Sequence, residues 1–467
     1  MKLRMKALFF FGIAAVAMFG SPIAAQEKKI VGSPAPGVKE RMAAIEHLFQ
    51  SRTDESITKF MNQHLAPALR SSKTSDEWHT EIKHMRQLYS DFGTVRLSKS
   101  ASGGLAVTFG GCPGADTPLL VDVDPAPPHL ITALRTGERQ SAAAKKPVPP
   151  KIELTWDNLQ EKLKEAESAG LSGAILVIRN GNIFLREGYG YADRSRNIPN
   201  KPDTMFAIGS TPIDFTQGAI LKLEDMGKLR TSDPINKYLP NVPEDKKAIT
   251  IDQLMTGRSG LPNFHGRPND PDPDNSWIDR DEALRRILGS ELLFPPGTDR
   301  AHSHSAFGLL AAIVEIVSGD TYMGFLRKNM FDPSSMNWTH HYEDVHAGDE
   351  QVAIGYGGRD AASVNSPKNW GKTSWLVLGS GGMVSTVGDL HRWNQAVRDG
   401  KLLSSASTEK YWKVGGGVFV GGNMHGFYTS YTTGPNSMFF LCTNDIAQSD
   451  RSEKLTDALV SLVNKPK

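Results

Sequence analysis

The chain has 467 residues, 39% hydrophobic and 22% charged, with 53 lysines and arginines against 51 aspartates and glutamates. That length exceeds one compact core and predicts two or three domains, and the balanced charge lacks the basic stripe that nucleic acid demands. Two cysteines, Cys112 and Cys442, do not make a disulfide framework.

Residues 1–25 have the layout of a secretory signal peptide: Lys2, Arg4 and Lys6, then the apolar run 7–19, then Ile-Ala-Ala at 23–25. The run is too short to favour a membrane span, and no second long apolar span follows. Removing the leader leaves 50 basic against 51 acidic residues. The expectation is a protein exported to the periplasm or exterior, with no transmembrane anchor after cleavage. Export would permit a Cys112–Cys442 bridge; two separate buried thiols is the plainer reading.

Residues 26–135 predict a small α+β accessory domain. Helical periodicity runs over 38–89, with Met42, Ile45, Leu48 and Phe49 on one face. After Gly93 come short apolar runs at 94–97, 105–109, 119–123 and 129–134, which read as strands. No chemical constellation stands out there. Residues 136–152 are rich in Ala, Lys and Pro and predict a semi-rigid linker. The second domain, 153–467, opens on a helix at about 155–168, with Thr155 as N-cap and Gly170 as the stop. Two β-rich runs then meet at Asn180-Gly181, a strong hairpin signal.

Several ordered segments follow. They are Asp-Thr-Met-Phe-Ala-Ile-Gly-Ser at 203–210, an apolar helix at 218–229, Leu-Met-Thr-Gly-Arg-Ser-Gly-Leu-Pro at 254–262, Phe-Pro-Pro-Gly-Thr at 294–298, Gly-Gly-Met-Val-Ser-Thr at 381–386, and Phe-Phe-Leu-Cys-Thr-Asn at 439–444. In that order and spacing, about 171–444 resembles the β-lactamase-related serine hydrolases, which include class C β-lactamases, D-alanyl-D-alanine peptidases and related esterases. The resemblance implies an α+β fold: an antiparallel sheet flanked by helices plus an all-helical lobe, with the site between them. It also implies a serine at a helix start, activated by a lysine three residues on and a tyrosine from a second loop. A Lys- or His-x-Gly on a strand would bind substrate.

All three motifs depart from that pattern. Ser-x-x-Lys has become Ser210-Thr-Pro-Ile213, and isoleucine has no lone pair. Pro212 is tolerable in a first helical turn. Tyr-x-Asn aligns with His302-Ser303-His304, and Lys/His-x-Gly with Val420-Gly421-Gly422; His425 is an alternative for the third. Ser56-x-x-Lys59, Ser407-x-x-Lys410 and Lys372-Thr-Ser374 match the short patterns but lack their context.

Two functional readings result. In the first, the protein is a secreted pseudoenzyme whose cleft holds a small or peptide-like ligand without turnover. A positioned base is worth about 100- to 10,000-fold, and a bare serine is a weak nucleophile. In the second, Ser210 remains catalytic with His302 as substitute base, Asp214 orienting it, and His304, Gly421 and Gly422 lining the substrate site. Metal binding by His302, His304 and the histidines at 340–346 is disfavoured, because no second pair has a recognised zinc spacing. No cofactor or metal is expected.

Overall fold

The computed structural model describes residues 37–464, apart from 51–53, 90–93, 100–104, 111–116, 138–151, 264–273, 275, 346–350, 359–364, 416–417, 423–424 and 435. The expected leader, most of the expected linker, Cys112 and His346 therefore lie outside the described residues.

The helices Val38–Gln50, Asp54–His64 and Ser75–Leu88 pack on a four-stranded antiparallel sheet whose strands lie in chain order: Thr94–Lys99, Leu105–Gly110, Leu119–Val123 and Ile131–Thr136. Ile45, Leu48, Ile57, Trp78 and Ile82 from the helices share one core with Val107, Leu119, Val121 and Ile131 from the strands. Thr74 and Glu77 close a reciprocal capping box at the start of Ser75–Leu88. Two arginines inside this unit are tied to backbone carbonyls. Arg41 donates to Pro128 and His129, and Arg86 donates to Leu48.

The larger part is built on a five-stranded antiparallel sheet. Its order is Val418–Gly422, Tyr428–Thr432, Met438–Thr443, Gly173–Arg179, Asn182–Tyr189, so the last three strands of the chain join the first hairpin. Asn180 and Gly181 both take positive φ (52° and 78°), as a two-residue type I′ turn needs. Strand Gly173–Arg179 is buried on both faces, which is why its sequence is continuously apolar rather than alternating. Ile175 and Val177 pack under the helices Leu159–Ser168 and Ser449–Val463; Ala174, Leu176 and Ile178 belong to the main core on the other face.

The helix after the linker begins at Leu159, later than the composition predicts. Thr155 does not cap it. Instead Thr155 and Asn158 exchange backbone-to-side-chain bonds (2.8 and 3.2 Å) across a preceding turn, which uses up the threonine hydroxyl.

At the centre of the helical lobe is Pro212–Asp225, termed the serine helix, against which His304–Ser318 packs. Phe215 of the serine helix meets Phe331 and Trp393 edge-on at 5.2 and 4.8 Å. Burying such a ring contributes about 2–3 kcal/mol. Gly218 lets the helix approach Trp393, since a Cβ there would lie 2.7 Å from the indole. Among the described residues no single helix is long and apolar enough to cross a membrane.

Candidate active site at the start of the serine helix

Strand Phe206–Ala207 pairs with Met383–Ser385, and the Ile208 N–H donates to the Met383 carbonyl at 3.1 Å. These bonds fix the chain just before its turn into the helix. Gly209 makes that turn at φ +54°, with its Cα against the backbone of Gly422; a Cβ would come within 3.1 Å of the Gly422 nitrogen. Glycine is required here both for the left-handed φ and for the close approach. Ser210 follows, half-buried, and Pro212 occupies the first helical turn as expected.

The Ser210 hydroxyl lies 3.3 Å from Nε2 of His304. That is the one hydrogen bond of its side chain among the described residues. His304 is the first residue of its helix. Ser303 caps the helix by accepting from the Ala306 N–H at 3.2 Å, and the His304 N–H donates to Oδ1 of Asn263 at 2.7 Å. Ser305 adds a bond to the Pro262 carbonyl at 2.7 Å. The histidine backbone is thus anchored from both sides.

His302, expected beside the serine, is instead solvent-exposed, and its ring meets the His304 ring edge-on at 4.7 Å. The imidazole that faces Ser210 is the one expected to bind substrate. The reason is geometric. Residues 302 and 304 project to the same side of an extended segment, and the packing of the two helices decides which ring meets the serine. Asn263 was not singled out from the sequence. Its only signal is its place two residues after the Gly-Leu of the 254–262 segment.

Ile213 is half-buried and packs on the main core, so an alkyl group occupies the family's lysine position. The lysine of the serine helix, Lys222, is engaged elsewhere, donating to the Leu402 carbonyl at 2.9 Å. Asp214 does not orient a histidine. Its Oδ2 accepts from the Tyr431 hydroxyl on the central sheet, and burial, partly opposed by that bond, pushes the carboxyl up to about 6.

Gly421 and Gly422 lie on the edge strand of the sheet, with Gly422 paired to Tyr428 on one side and facing Gly209 on the other. An unpaired strand edge beside a nucleophile can take an extended ligand backbone. The Ser210 N–H has no acceptor among the described residues and is free to donate to a developing oxyanion. His425 is buried, at 1% exposure, against Trp370 and bonds Oδ1 of Asn365 at 3.2 Å, an environment suited to a packed core histidine.

The pattern decoys sit outside this site. Ser56 accepts from Arg86 in the first unit; Ser407 donates to Asp225, and Lys410 donates to Glu224 and Thr231. Lys372 stacks on Trp277. Cys442 is a free, buried thiol whose pKa burial pushes up to about 12. Among the described residues no three His, Cys, Asp or Glu side chains converge as a metal would require.

The family model described as Beta-lactamase matches residues 157–441. The Bacillus subtilis (strain 168) protein PbpX, described as a penicillin-binding protein, is 31% identical over 311 residues, covering 65% of this chain and 74% of PbpX. Protein flp of Staphylococcus aureus (strain COL) is 29% identical over 239 residues, 50% of this chain and 46% of flp, so the match spans under half of that relative. FmtA from Staphylococcus aureus superposes with a TM-score of 0.55 at 21% identity, covering 68% of this chain and 94% of FmtA. A beta-lactamase/D-alanine carboxypeptidase from Yersinia pestis superposes at 0.53 and 21%, covering 64% and 95%. The two superpositions establish the fold, and the sequence match extends through the serine turn and both halves of the central sheet. The chain belongs to the β-lactamase family of penicillin-binding-protein-like serine hydrolases.

Proposed function

We propose that this protein is an exported acyl-transfer hydrolase in which Ser210 is the nucleophile and His304, rather than a lysine, is the base. The observation that carries this reading is the 3.3 Å approach of His304 Nε2 to the Ser210 hydroxyl. Such contacts are often loose before substrate binds.

Ser210 Oγ attacks an ester, amide or lactam carbonyl while its proton passes to His304 Nε2. The oxyanion forms against the Ser210 N–H. The imidazolium then returns the proton to the leaving alcohol or amine, and an acyl-serine remains. A water, deprotonated by the same imidazole, hydrolyses that ester. The edge strand ending in Gly422 would hold the extended part of the substrate. Lacking the lysine and tyrosine, the site should be slow by the standard of its relatives. The contact of a basic nitrogen with the serine supports this reading over the inert scaffold expected from Ile213.

The test is hydrolysis of p-nitrophenyl butyrate by purified protein, with a fluorescent penicillin as acylation probe. Ser210→Ala should abolish both signals. His304→Ala should lower kcat/KM by about 100- to 10,000-fold, the worth of a positioned base, whereas His302→Ala should cost far less. Turnover that survives Ser210→Ala, or that falls less than about tenfold in His304→Ala, overturns the assignment. So does wild-type protein with neither turnover nor label, which would leave the cleft a binding site only.

A further inference from the structure

Behind Ser210, on the sheet side of the serine helix, lies a hollow of about 310 Å³ counting its open mouth, with interior room for a group about the size of one water molecule. Thr211 and Asp214 line it from the start of the serine helix, Asn394 and Thr433 are also polar, and Trp393, Tyr411, Trp412 and Tyr431 supply aromatic wall. These residues belong to or adjoin the serine helix, the helices Val387–Arg398 and Ser405–Gly415, and strand Tyr428–Thr432.

Two polar atoms in this hollow, Thr211 Oγ1 and Asp214 Oδ1, have no hydrogen-bond partner among the described residues. Thr211 is 2% exposed, and its hydroxyl has no hydrogen bond among the described residues. Asp214 spends Oδ2 on Tyr431, while Oδ1 accepts nothing among the described residues. The Tyr411 oxygen already accepts from the Trp393 indole N–H at 2.8 Å. The unengaged acceptors the hollow presents include a carboxylate oxygen and a hydroxyl, set among aromatic faces. An anion would meet a carboxylate and the negative faces of the rings. A donor carrying positive charge satisfies all three kinds of group. The wall already holds one cation of the chain's own: Arg398 stacks on Trp412 at 4.5 Å while donating to Asn394, another lining residue.

We propose that this hollow is a binding site for a primary ammonium group, whose N–H bonds go to Asp214 Oδ1 and Thr211 Oγ1 between the aromatic rings. The interior room fits an –NH₃⁺ head and excludes a trimethylammonium. The inference stands apart from the assignment of His304, since binding here needs no proton transfer at Ser210.

The experiment uses the whole protein at pH 8 without any acyl substrate. Tryptophan fluorescence, reporting Trp393 and Trp412, is titrated with propylammonium chloride, tetramethylammonium chloride and sodium chloride. A saturable change with propylammonium alone is expected. Asp214→Asn and Thr211→Val, each checked for native near-ultraviolet circular dichroism, should weaken it at least about tenfold and about threefold. An equal response to tetramethylammonium, no saturable response in wild type, or unchanged affinity in folded Asp214→Asn overturns the proposal. The wild-type comparison of the two amines holds even if a variant fails to fold.

Discussion

Buried polar groups are treated differently in the two parts of this molecule. In the N-terminal unit the two interior arginines are fully engaged: Arg41 with two carbonyls and His64, Arg86 with the Leu48 carbonyl and Ser56. Burial lowers the Arg86 guanidinium to about 10, with no loss of charge near neutrality. No buried side-chain atom of residues 37–137 lacks a partner among the described residues. Around the serine helix some are not so engaged. Thr211 and Gln217 on the helix, and His341 stacked on Tyr322 beneath it, all carry orphaned atoms. Unsatisfied buried polar atoms cost stability and call for a reason. In the first unit, polar groups hold the structure together; in the second, several buried polar atoms are unengaged among the described residues, and one of them, Thr211 Oγ1, adjoins the reactive alcohol.

The largest effect that probes this contrast is chemical. Ile213 occupies the position one turn from Ser210 where a lysine amine would reach the hydroxyl. Ile213→Lys in a His304→Ala background should recover ester hydrolysis by at least about tenfold, because it supplies a second base to the same oxygen. Kinetics of the single and double variants measure it. Failure to recover any rate would mean that the scaffold around position 213 no longer accepts the amine.

Next comes the first unit. Arg86→Ala removes the donor of the Leu48 carbonyl and opens space in the core, so it should cost about 2–4 kcal/mol. A fall in the urea midpoint of that unit reports it. A neutral result would erase the contrast, since interior polar bonds there would then be no more structural than the orphans around the serine.

Much of the frame was legible because it is local. Asn180-Gly181 sets the hairpin through the φ its turn demands, and Pro212 marks a first helical turn. Gly209 and Ser210 were placed by the ordered segments around them. The site was less legible because its partners are set by packing. Residues 302 and 304 look equivalent in sequence, and only the seating of His304–Ser318 on the serine helix separates them. Asp214 read as an orienter for a histidine. Its actual partner, Tyr431, lies far along the chain, and no spacing rule connects the two.

A smaller effect tests Asp214 through pH. With its folded carboxyl raised to about 6 and an ordinary aspartate near 4, the folded state binds the extra proton between those values. Stability from this group is therefore present at pH 4 and lost as pH rises through 6. Asp214→Asn keeps an acceptor for Tyr431 without the charge. It should be more stable than wild type by about 1–3 kcal/mol at pH 8 and nearly equal at pH 4. Urea unfolding at the two pH values decides it; a variant less stable at pH 8 would mean that the charge is already compensated in the folded protein.

The smallest effects come from two threonines five positions apart on one turn-and-helix segment. Thr216 donates to the Gly379 carbonyl at 2.6 Å, and its lone pairs meet the Tyr322 hydroxyl at 2.5 Å. Thr216→Val strands both partners in the core and should cost about 1–3 kcal/mol. Thr211→Val removes a hydroxyl that bonds nothing and replaces it with a methyl of similar volume, so stability should stay within about 0.5 kcal/mol or rise. The pair shares shape change and helix context, so their difference isolates hydrogen bonding. If Thr211→Val costs as much as Thr216→Val, the Thr211 hydroxyl has a tightly held partner even without added amine, and the hollow is a filled structural site rather than an open one.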